Sequence, residues 1–278
     1  MVDSLRPSPF YDELAAEHRA WLSAFDPQYL GNWEKILNSD EEAALAEAGA
    51  RRQLQYMGVS VEPNEDLSGK EQRPDFHCGV NGSKFDMEVT HISVKKATEA
   101  TGLVEGRTGA CCYSSLNDAI FMACKNKAEQ CACACYPTLL AVATFHSQAS
   151  AICFGKSHVE MLFTGETKIT WTMDMRTCQK VGDCYQTTEL RSATFLRPDR
   201  SQEVGFARSS ISGIVLYGLG ALQRDVHKVW QPHVIGMLHP NPARPFDPAS
   251  LPSVEFGQVE IDRATKQLSV RWPRGDEE

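Results

Sequence analysis

An Asn-Gly pair, Asn81-Gly82, stands between two runs of strand-forming residues, Asp75 to Val80 and Lys84 to Ile92. Tight two-residue hairpin turns need positive φ at both central residues, which Asn and Gly tolerate best, so the pair predicts an antiparallel hairpin with a defined register. In the second run Phe85, Met87 and Val89 alternate with Asp86, Glu88 and Thr90. Strand side chains point to opposite faces in turn, so three apolar groups share one face and three polar groups the other. A strand with a solvated outer face gives the same pattern. The partner run, though, opens with Pro74-Asp75, and the hairpin carries that carboxylate to the position across from Glu88. Two carboxylates at ligand range repel unless one takes up a proton or a cation lies between them. Hard oxygen donors of this kind suit Mg²⁺ or Mn²⁺.

The segments on either side of the hairpin read as helices with one anomalous residue type each. The first is opened by Ser39, with Glu42 at the reciprocal capping-box spacing, and runs to about Tyr56 before stopping at Gly58. Ala43, Glu47, Ala50, Leu54 and Met57 fall on one face of it, and Glu47 is the charged member. A carboxylate facing a core is costly unless paired or metal-bound; at the rim of that face it reaches water instead. The second helix, Ser114 to about Cys135, is closed by Pro137. Leu116, Ile120, Ala123, Lys127, Gln130 and Ala134 form one stripe, so Lys127 and Gln130 point towards the sheet. The plain alternative is a lysine snorkelling at the helix edge. An apolar strand, Thr138 to Phe145, follows.

Helix with Glu47, hairpin with Pro74-Asp75 and Glu88-Val89-Thr90, helix with Lys127-Ala128-Glu129-Gln130, then strand: this order over residues 39–146 resembles the PD-(D/E)xK, or restriction-endonuclease-like, nuclease superfamily. The resemblance implies an αβββαβ core in which Asp75 and Glu88 are metal ligands and Glu47 assists from the preceding helix. Members carry a lysine two residues after the glutamate that helps activate the attacking water, and here Thr90 holds that position. Several branches instead place a basic residue, often with a Gln, on the helix after the hairpin. By that resemblance Lys127 is the migrated lysine and Gln130 its companion.

The remaining chain fits around this core. Two short helices rich in Trp, Tyr and Leu, ending near Ala24 and Leu37, form an N-terminal cover over residues 1–38. Val59 to Val61 reads as a short strand, Pro63 to Arg73 as a polar loop, and residues 97–110 as a Gly- and Thr-rich loop. Beyond the core, Ala149 to Phe163 reads as a helix, Lys168 to Met173 as extended and residues 175–208 as irregular. Strands at Ser212 to Tyr217 and Val234 to Leu238 and a closing hairpin between Val254 and Val270 make residues 147–278 an extension of the same domain. The expected class is α/β with a mixed sheet flanked by helices.

A formal net charge of −8 excludes a protein that coats DNA by bulk electrostatics. A local basic groove would draw on Arg51, Arg52, Lys95 and Lys96, which otherwise are solvated charges. The first residues show no secretory pattern, and the longest apolar run, Tyr136 to Phe145, is about half a membrane span. Ten cysteines without a secretory signal imply reduced thiols and a cytoplasmic location with no membrane partner. Cys131, Cys133 and Cys135, near Cys111, Cys112 and Cys124, have the wrong spacing for structural zinc, which favours C-x₂₋₄-C pairs. A thiol hydrolase using His91 or His146 has no nucleophile motif behind it. The resemblance implies a divalent-metal-dependent nuclease that uses Mg²⁺ or Mn²⁺ to hydrolyse nucleic-acid phosphodiesters, DNA ahead of RNA. The alternative is a catalytically inactive nuclease-fold module for nucleic-acid binding or assembly. A partner protein or a second copy of the chain is compatible with either.

Overall fold

The computed structural model describes residues 8–68, 71–107, 109–112, 115–198, 204–220, 233–262 and 267–273. Helices α1 (Pro9–Leu22) and α2 (Pro27–Ser39) each begin with proline behind a capping side chain, Ser8 and Asp26. Proline fits there because the first helical N–H has no partner to lose. Helix α3 (Glu41–Tyr56) is capped by Asp40, whose carboxylate accepts from the Ala43 amide at 3.1 Å. The expected Ser39 cap thus moves by one residue. Ser39 is the last residue of α2 and its hydroxyl donates back to the Lys35 carbonyl, while a full negative charge at position 40 suits the helix N-terminus better. Gly58, at φ +79°, ends α3 as expected.

Three antiparallel strands follow: β1 (Ser60–Pro63), β2 (Phe76–Val80) and β3 (Ser83–His91). Val80 pairs with Ser83 across a two-residue turn in which Asn81 and Gly82 both have positive φ, 50° and 82°. Residues 97–110, expected as a loop, contribute to helix α4 (Val94–Thr101), capped by Ser93 and stopped at left-handed Gly102. Its short length and threonine content hide it from a periodicity reading. Helix α5 (Asn117–Ala132) is shorter than expected, and the foreseen start at Ser114 lies outside the described residues. Strand β4 (Thr138–Thr144) leads to α6 (Ser147–Cys153) and α7 (Lys156–Thr164), where one helix was expected. The break is at Gly155, which adopts an extended conformation as the cap of α7.

Residues 175–208, expected as irregular, take part in two small sheets: β5 (Glu166–Asp174) with β6 (Gln179–Glu189), and β7 (Leu196–Pro198) with β8 (Val204–Phe206). Residues 199–203 fall outside the described set. Along the described part of the β5–β6 ribbon both faces meet water, so the alternation that marks a half-buried strand is missing. Strands β9 (Gly213–Gly218), β10 (His233–Leu238), β11 (Glu255–Asp262) and β12 (Gln267–Arg271) complete the main sheet.

That sheet has eight strands in the order β1-β2-β3-β4-β9-β10-β11-β12. It is mixed: β3, β4 and β9 are mutually parallel, as are β10 and β11, and the other neighbours are antiparallel. Helices α1 to α3 pack on the face bearing Phe85, Met87, Leu139, Ala141 and Tyr217. The opposite face, with Leu140, Val142, Ile214 and Leu216, packs against Ile120 and Cys124 of α5 and Val159 and Leu162 of α7. Every residue of β4 is buried, which is why that strand reads as an unbroken apolar run. Among the described residues no helix is long and apolar enough to cross a membrane.

Candidate metal centre

The hairpin register sets Phe76 against Met87 and His77 against Asp86, and one step further Asp75 faces Glu88. Asp75 sits just before β2, where its Oδ2 accepts from the Val89 amide at 2.6 Å. Glu88 is fully buried on the face covered by α5, and both its oxygens are engaged. Lys127 Nζ lies 2.5 Å from Oε1, and Gln130 Nε2 donates to Oε2 at 2.7 Å. Gln130 also accepts from Lys127 at 3.2 Å and donates to the Arg73 carbonyl at 2.9 Å. Two residues three apart on α5 therefore reach one strand carboxylate together, as the helix stripe requires.

On the other side of Asp75 the arrangement is purely acidic. Carboxylate oxygens of Glu47 on α3, Glu65 in the loop after β1, and Asp75 lie within 4.8 Å of one another. Burial and then the neighbouring charge of Asp75, Glu65 and Glu88 push the Glu47 carboxyl well above its ordinary range, against the pull of Lys127. Burial pushes Asp75 up to about 7, although Lys127 and the Val89 amide oppose it. Burial also raises Glu65, partly offset by a hydrogen bond with Asn32. Glu88 is raised well above the usual range by burial and by Asp75, while Lys127 works the other way. Burial disfavours the Lys127 charge, yet Glu88 and Asp75 hold its pKa above the free value. The cleft that the three acids line together with His18, Tyr29 and Trp33 has a volume of ≈ 20 Å³, enough for one water or one bare cation.

All five residues singled out from the sequence thus meet around Asp75. Glu47 and Asp75 join Glu65, while Glu88 joins Lys127 and Gln130. Glu65 was not foreseen: it lies in an aperiodic polar loop, and no local pattern separates it from Glu62 or Asp66. Its place is set by α2, where Tyr29 donates from its hydroxyl to the Glu65 carbonyl at 3.5 Å. Thr90, half-buried one turn of the pleat from Glu88, offers no charge. Glu42 accepts from the Val94 amide at 2.8 Å and so ties α3 to α4 in place of the foreseen capping box.

Other sequence expectations resolve differently. Arg52 faces Glu13 and Glu17 at 3.5 and 3.4 Å, and buried Arg51 lies over the Trp21 ring, so neither builds a basic groove. His91, the last residue of β3, is near Asp40 at 3.5 Å. Cys124 and Cys131 are buried while Cys133 and Cys135 are exposed.

No protein-family model matches the chain, and neither curated proteins nor solved structures gave a match. The donor set must speak for itself. Three crowded carboxylates, no sulfur and one water-sized space could hold a hard or borderline divalent cation, whose charge would remove the repulsion that raises their proton affinity.

Proposed function

We propose that this chain is a divalent-cation-dependent nuclease of the PD-(D/E)xK type, with residues 39–146 as its restriction-endonuclease-like core. The observation that carries the reading is the Lys127 ammonium on buried Glu88, beside Asp75. It supplies, from the helix after the hairpin, the positive charge that Thr90 does not. The succession α3, β1–β3, α4, α5, β4, in which β4 is parallel to β3, supports the same assignment with α4 as an added helix.

In this reading Glu47, Glu65 and Asp75 hold Mg²⁺ or Mn²⁺, and Glu88 stands beside them. The bound ion would polarise a phosphate and lower the pKa of a water. Lys127 orients the attacking water and balances charge developing on the phosphate. Gln130 fixes the Glu88 carboxylate and, through its Oε1, the ammonium of Lys127. The substrate is nucleic acid, with DNA favoured over RNA.

A second reading, a catalytically silent binding module, draws on one observation: both Glu88 oxygens are already taken by protein donors. Incubation of the wild type with single- and double-stranded DNA and RNA, in Mg²⁺ and in Mn²⁺, tests the proposal. Cleavage that needs the divalent ion and is lost in Lys127→Met supports the nuclease. A wild type inert on all four substrates overturns it in favour of the module.

A further inference from the structure

The loop between α4 and α5 is pinned along α6 by contacts that bring two thiols together. Just ahead of α6, His146 Nε2 donates to the Leu103 carbonyl at 3.1 Å, and the Glu105 carboxylate lies 3.0 Å from His146 Nδ1 and accepts from the Ser147 amide at 3.0 Å. At the other end of the helix the thiol of Cys153, its last residue, shares a side-chain hydrogen bond with Cys111 and accepts from the Leu116 amide ahead of α5. Cys111 packs against the apolar cluster that contains Cys153 and Leu116. Cys153 is fully buried, whereas Cys111 is half-buried and its neighbour Cys112 is exposed. One thiol is reachable, and its partner waits beside it out of water. Thiols placed together by folding react as if at high local concentration, since little loop closure is left to pay for in entropy.

We propose that Cys111 and Cys153 form an oxidation site, a dithiol that a hydroperoxide converts to a disulfide tying the loop before α5 to α6. Burial pushes the Cys153 thiol up to about 12, which makes it a poor first nucleophile, so oxidation begins at the more accessible Cys111. Its sulfur takes one peroxide oxygen as the O–O bond breaks; the sulfur is oxidised to the sulfenic acid, and the peroxide is reduced to water or an alcohol. The Cys153 sulfur then attacks the sulfenic sulfur, the S–O bond breaks, the thiol proton leaves with the hydroxide as water, and the S–S bond forms. A thiol reductant reverses the change. In a reducing compartment the free dithiol is the resting form, and disulfides there are typically transient and redox-sensing. The bond fixes the approach to α5, whose later turns carry Lys127 and Gln130.

The test uses the full chain, reduced and then treated with an equimolar amount of hydrogen peroxide, with free thiols alkylated and peptides mapped by mass spectrometry without reduction. The wild type decides without any variant: it should yield a peptide pair joined through Cys111 and Cys153 that dithiothreitol separates. Its Tm should rise by roughly 5–10 °C on oxidation, because the bond restrains the segment 111–153 in the unfolded chain. Cys112→Ser should form the same bond, and Cys111→Ser should show neither bond nor rise. A disulfide joining Cys153 to Cys112, bonds confined to the exposed thiols, or Cys111 over-oxidised beside a free Cys153 each overturns the pair.

Discussion

Glu88 and Glu47 approach the same aspartate from opposite faces of the sheet, yet their charges are handled in opposite ways. Glu88 meets a cation and an amide built into α5, so its carboxylate is paired within the protein. Glu47 forms an acidic cluster with Asp75 and Glu65 among the described residues, so its side of the site is neutralised by protons or by something from outside. Burying a charge is tolerated when a partner is present and costly when it is not. The contrast separates a self-contained half that sets geometry from an incomplete half that waits for a ligand.

The strongest way to break this contrast is to remove the built-in cation. Lys127→Met keeps the aliphatic stem and should lower divalent-dependent cleavage by at least about 10²-fold, the low end for a positioned proton-transfer group. Divalent binding, measured by calorimetry, should change little. Equal cleavage by wild type and variant would move the catalytic charge to Lys84 or Lys125.

Next, the incomplete half should respond to ions. Saturation at about 100 times Kd adds roughly 2.7 kcal/mol, which for a chain of this size is about 5–10 °C in Tm. Asp75→Asn should abolish that rise and Glu65→Gln should reduce it, both followed by thermal denaturation. A rise that survives Glu65→Gln intact would put the cation elsewhere, closer to Glu88.

A smaller effect is the pH dependence of the ion-free protein. Asp75 has a folded pKa of about 7 against the ordinary 3.8, so between those values the folded state keeps a proton that the unfolded chain releases. Stability from this group is therefore lost as pH rises through that window, at up to about 1.4 kcal/mol per pH unit. Buried His18, lowered to about 3, has the opposite slope between about 3 and 6.5, since only the unfolded chain takes up its proton there. Urea titrations of wild type and Asp75→Asn from pH 5 to 8 isolate the aspartate: the difference should shrink or reverse sign with pH, and added Mn²⁺ should flatten the wild-type curve. A pH-independent difference would mean that Asp75 is already ionised.

The smallest expected effect is at the alternating cysteines, of which Cys131 is buried while Cys133 and Cys135 are exposed. Protein purified under reducing conditions should hold less than one zinc per chain by elemental analysis. One tightly held zinc, lost when Cys131 and Cys135 become serine, would reverse that reading.

Legibility followed the range of the physical signal. The 81–82 turn and the alternation through Val89 are neighbour effects, and they placed Asp75 opposite Glu88. Helical periodicity put Glu47 on the inner side of α3 and Lys127 with Gln130 on the sheet side of α5. The β5–β6 ribbon and α4 escaped because one has no dry face and the other is a short threonine-bearing helix defined chiefly by its ends.

What the sequence determined alone is therefore local: which side chains share a face, where α1, α2, α3 and α5 lie to within about three residues at each end, and the hairpin register, all fixed by backbone geometry over a few residues. Tertiary structure decided the partnerships. Whether Lys127 would pair with Glu88 or with Asp75, whether Glu65 would turn inward, and whether His18 would reach the same pocket depend on how α1, α2 and α5 pack on the sheet. Such packing is set by the shape and burial of many distant residues together, and no period along the chain encodes it.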